Sequence, residues 1–65
     1  MSEQRHRQRR LISQAEGYLE LGMYEHALAT VRRLESAGAF EGHVYYLKGE
    51  ALRSLEHYRE ARLLP

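Results

Sequence analysis

After Met1, nine polar positions open the chain, and apolar residues then recur at helical spacing. Leu11, Ala15, Tyr18 and Leu21 form one stripe, which predicts a helix that begins near Ser2 and ends near Leu21. Ser2 suits an N-cap, and Glu3 lies in the first turn beside the positive end of the helix dipole. Gly22 is the expected stop, because glycine enters the left-handed region without steric cost. A second helix is predicted from about Met23 to Ser36. Its buried stripe is Tyr24, Ala27, Leu28, Val31 and Leu34, with Arg32, Arg33 and Glu35 facing away, and Gly38 closes it. A third helix is expected from Phe40 or Glu41 to about Leu55, with Val44, Leu47, Ala51, Leu52 and Leu55 on one side. Tyr45 and Gly49 widen its apolar arc, as suits a helix with neighbours on two sides. A fourth helix is predicted from His57, carrying Tyr58, Ala61 and Leu64 and cut short at Pro65. The short turns make successive helices antiparallel.

The first helical hairpin returns in altered form. Leu11 answers to Tyr45, Ala15 to Gly49, Glu16 to Glu50, Leu21 to Leu55, Tyr24 to Tyr58 and Ala27 to Ala61, each 34 positions on. A fixed period of this length marks stacked helical hairpins. Small residues at Ala15, Gly49, Ala27 and Ala61 let helix axes approach closely, and Gly17 offers another such place.

These residues resemble the tetratricopeptide repeat family. Its motif has a large residue early in the first helix, a small one a turn later and then an aromatic or apolar residue. A short turn and Tyr-x-x-Ala follow. The first copy supplies Leu11, Ala15, Tyr18, Gly22, Tyr24 and Ala27; the second supplies Tyr45, Gly49, Leu52, Glu56, Tyr58 and Ala61. The usual leucine before the small residue is replaced by Gln14 and Lys48, the second turn has Glu56 instead of glycine, and no proline closes the repeat near Ala39. The resemblance implies an all-α fold of antiparallel helix-turn-helix repeats, with three full helices and a truncated fourth. Residues 1–7 would be a basic helix start, 8–41 a first repeat and 42–65 a second, shortened one.

The family binds peptides on the inner face of its first-helix layer. Carried over by register, that face comprises Ile12, Glu16, Leu19 and Glu20 from the first copy and Tyr46, Glu50 and Arg53 from the second. Its acidic character with aromatic and aliphatic patches suits a basic or amphipathic peptide. Ile12 and Tyr46 stand where the polar groups that clamp a terminal carboxylate in some members would begin, so that subclass is not expected.

Charge adds one feature. The net charge of +1 is uneven: residues 1–10 carry Arg5, Arg7, Arg9 and Arg10 against Glu3, while the remainder has six basic and eight acidic residues. The cluster RHRQRR could contact nucleic acid. The slightly acidic remainder argues instead for a solvated helix end. With no cysteine, no secretory signal and no apolar run long enough for a membrane span, a cytoplasmic protein is the expectation.

Chemistry finds little to work with. His6, His26, His43 and His57 lack the paired spacing and convergent donors of a metal site. Ser2, Ser13, Thr30, Ser36 and Ser54 sit in no strained elbow or phosphate loop, and Glu16, Glu20 and Glu50 lie on an open helical surface. No enzymatic activity, cofactor or metal is expected.

Two roles remain. A chain of this length buries only about 60% of its unfolded surface, and about three repeats are normally needed for stability. Leu47, Leu52, Leu55, Leu63 and Leu64 would then be partly exposed and drive self-association, a symmetric dimer being the commonest closure. The alternative is a peptide-binding adaptor that forms part of a longer repeat chain.

Overall fold

A computed structural model describes residues 2–39 and 42–63, with side chains from Arg5 onward. Three helices follow one another: α1 (Ser2–Glu20), α2 (Tyr24–Ser36) and α3 (Gly42–Leu63). The expected positions of Phe40, Leu64 and Pro65 lie outside the described residues.

Both inter-helix turns are built the same way. Gly22 has φ +74° and Gly38 has φ +86°. At the first, the amide of Met23 donates to the Tyr18 carbonyl (2.8 Å) and that of Gly22 to Leu19 (3.2 Å). At the second, Ala39 donates to Leu34 (3.0 Å) and Gly38 to Glu35 (2.9 Å). These crossed bonds satisfy the last carbonyls of each helix and fix the exit of the chain. They also bring Ala39 into the core, where the sequence pattern had put only a loop.

The helices pack as an antiparallel succession with two apolar clusters. Leu11, Ala15, Val31, Leu34, Ala39, Val44 and Leu47 form one, to which all three helices contribute. Ala27, Leu28, Ala51 and Leu55 form the other, flanked by Tyr18, Leu19 and Tyr24. Ala15, Val31 and Leu34 are wholly enclosed. Thr30 is also buried, and its hydroxyl donates to the His26 carbonyl one turn back at 2.8 Å. Lys48 Nζ lies 3.1 Å from Glu35 Oε2 and ties α3 to the end of α2. Leu21, expected on the first stripe, instead occupies the turn and is exposed.

Among the described residues there is no separate fourth helix. α3 runs unbroken through Leu55, Glu56 and His57, so the expected second hairpin is one continuous rod of 22 residues, about 33 Å long. Glu56 stands where the first copy has Gly22. A side chain in the left-handed region costs roughly 1–2 kcal/mol, whereas glutamate in a helix costs little. Beyond Leu55 every described residue of α3 is exposed.

The rod makes the molecule long: 51 × 18 × 15 Å, with a radius of gyration of 12.9 Å. A compact chain of this length would have about 11 Å. Among the described residues, no helix is long and apolar enough to cross a membrane.

Leu34 sits where the three helices meet, so Leu34→Ala is expected to cost about 2–5 kcal/mol, much of the stability of so small a domain. Leu21→Ala should stay within about 0.5 kcal/mol of the parent. Urea melts followed by circular dichroism measure both.

Candidate binding surfaces

The groove expected from the repeat register lies along α1 and α3. Ile12 and Leu19 are half-buried and pack against the core, so they form its floor more than its rim. Glu16 and Tyr46 are exposed and are brought together by a residue that sequence reasoning missed. His43 Nε2 is 3.5 Å from Glu16 Oε2, and the His43 ring stacks on Tyr46 with centroids 6.4 Å apart and planes 18° from parallel. His43 lies three residues before Tyr46, hence on the same face of α3; that spacing was the available signal. Glu50 pairs with Arg53 one turn along, so its charge is met within α3. Glu20 is exposed. The groove therefore keeps Glu16 and Glu20 as its acidic groups beside the His43–Tyr46 pair.

The leucines assigned to self-association divide. Leu47 and Leu55 are only 2% and 7% exposed, because the intramolecular core takes them, and they cannot serve. Leu52 is 44% exposed and Leu63 84%, while Leu64 lies outside the described residues. The internal repeat explains the division. In α1, the stripe that begins at Leu11 and Ala15 is covered by α2, and Ala15 is fully buried. In α3 the matching stripe is Tyr45, Gly49 and Leu52. No helix covers it: Tyr45 is 54% exposed, and a Cβ placed on Gly49 would meet nothing within 4 Å. Gly17 likewise has open space where a close helix was expected. Leu63 extends the α3 stripe by its spacing along the rod.

A third feature is a recess beside the first turn, where Met23, Tyr24 and Leu55 meet Tyr58 and Arg62 of the projecting rod. The Arg62 guanidinium lies 5.7 Å from the centre of the Tyr58 ring.

Compared with protein-family models, characterised proteins and solved structures, the chain matches none.

His43 and Tyr46 decorate the groove without supporting the core, so His43→Ala and Tyr46→Ala should each change stability by no more than about 0.5 kcal/mol. A loss of more than about 2 kcal/mol in a denaturant melt would make them packing residues instead.

Proposed function

We propose that this chain is a non-enzymatic protein-interaction module of tetratricopeptide-like design that associates with a second copy through the outer face of α3. The observation that carries this reading is the stripe Tyr45–Gly49–Leu52, open along the rod while its repeat counterpart on α1 is covered. Area supports it. The chain exposes 5253 Å², whereas a compact protein of 7.6 kDa would expose about 4,300 Å². The excess of roughly 950 Å², to which the exposed start of α1 and the end of α3 both contribute, is large enough to include a face of the ~800 Å² that each partner buries in a standard interface. An apolar patch of this kind on a helix with a small residue at its centre suits another helix, and a two-fold pairing is the simplest closure. Scattering mass and helicity measured together over a micromolar dilution series are expected to give twice the chain mass, falling on dilution. Leu52→Glu should give a helical monomer. A parent chain that is already a folded monomer at high micromolar concentration overturns the reading.

The groove supports a second reading, a peptide-binding adaptor, through Glu16 and Glu20 beside the His43–Tyr46 pair. A labelled lysine-rich amphipathic peptide should bind the parent and lose about tenfold in affinity with Glu16→Lys/Glu20→Lys, an amount equal to about 1.4 kcal/mol. Unchanged affinity in a fluorescence titration removes this site.

A further inference from the structure

The fold gathers positive charge in a way the order of residues along the chain conceals. Leu11 is the first buried residue among the described side chains of α1, so the turns that carry Arg5, Arg7, Arg9 and Arg10 project beyond the core with their side chains exposed. α2 runs antiparallel to α1, and Leu34 near its end packs in the same cluster as Leu11. Arg32 and Arg33, on the turn just before Leu34 and exposed, therefore emerge at the root of this basic arm. The four arginines of the arm and the two of α2, 22 positions apart at their nearest (32 − 10), thus lie at and beyond the same cluster. Among the described residues none of the six pairs with a carboxylate. Glu35, the acidic residue nearest to Arg32 and Arg33 in α2, is held by Lys48. Glu20, Glu25, Glu56 and Glu60 belong to the opposite end, around the second cluster and the projecting rod. Against the six arginines stand Glu16, next to Ala15 of the first cluster, and Glu3 and Glu41, which adjoin this end in sequence, so an excess of three positive charges (6 − 3) remains. Half of the acidic residues that follow the arm, Glu20, Glu25, Glu56 and Glu60, thus lie away from it.

We propose that this end is a surface for the phosphate backbone of double-stranded nucleic acid, bound without regard to sequence. Guanidinium groups pair with phosphate oxygens through two parallel hydrogen bonds. The arm from Arg5 to Arg10 has no Phe, Tyr or Trp and only the small His6 ring on which unpaired bases could stack, which disfavours a single strand. It also has no apolar residue with which to enter a bilayer, which disfavours a lipid surface.

The test uses the full chain and a short fluorescent duplex of mixed sequence, followed by anisotropy from about 50 to 200 mM salt. The expected result is binding at low salt with a slope of log affinity on log salt of about −4 to −5, as four to six phosphate contacts require. Arg32→Gln/Arg33→Gln should weaken binding and reduce that slope by about 2. Arg59→Gln/Arg62→Gln, at the other end, should leave both unchanged. Helicity measured for each variant separates loss of contact from loss of fold, and these exposed substitutions are expected to keep it. Absence of binding at 50 mM salt (about the lowest value of the series), an equal loss from the variant at the far end, an unaltered slope in Arg32→Gln/Arg33→Gln, or tighter binding to phosphatidylserine vesicles than to the duplex would each overturn the proposal.

Discussion

At Gly22 and Gly38 the backbone enters the left-handed region, and the amides of the glycine and of the residue after it fold back onto carbonyls of the helix just ended. All of the packing follows from these two reversals. The first lays α2 on α1, so that Val31 and Leu34 meet Leu11 and Ala15; the second brings Val44 and Leu47 of α3 into the same cluster. A residue with a side chain would make each reversal dearer by about as much as one good hydrogen bond is worth. At Glu56 that cost is not met, and the helix continues because continuing requires nothing special of the backbone.

The unbroken rod changes what the repeated residues mean. Tyr58 and Ala61 carry the same pattern as Tyr24 and Ala27, but the first pair lies on a projecting helix while Ala27 is completely buried. A motif specifies a packing face; a turn decides whether that face meets its partner inside the same chain. Without the second turn, the face of α3 that matches the covered face of α1 remains open, and the molecule is longer and more exposed than its mass requires. That open face is therefore a consequence of one missing glycine, more than of an excess of apolar residues.

Much of this was legible from spacing. The first two helices, both glycine stops and nearly the whole buried stripe of α2 follow from periodicity and turn chemistry, since both act over a few residues. Three matters were not legible. The continuity of α3 through Glu56 was obscured because the 34-residue register suggested a turn where the local residues favour helix. The burial of Leu47 and Leu55 beside the exposure of Leu52 depends on which side of α3 faces α2, and a wide apolar arc does not tell the sides apart. In the candidate groove, register put Glu16 and Tyr46 on one face, but it did not reveal that His43 joins them, because that contact links two helices through space.

The two ends of the rod-like molecule bear on how copies could meet. The arginine-bearing end and the opposite end lie along a long axis of 51 Å. Two copies joined side by side through the outer face of α3 can run parallel or antiparallel. A parallel pair would set two arginine clusters next to each other, within reach of a screening length of about 8 Å at physiological salt. An antiparallel pair separates them by most of the length of the assembly and removes that repulsion. Helix dipoles favour the same choice, because antiparallel neighbours place unlike ends together. For the proposed pairing, the apolar face and the charge distribution thus favour one arrangement, in which the basic arms would point outward from opposite ends and a single assembly would offer two tips for the proposed phosphate contacts.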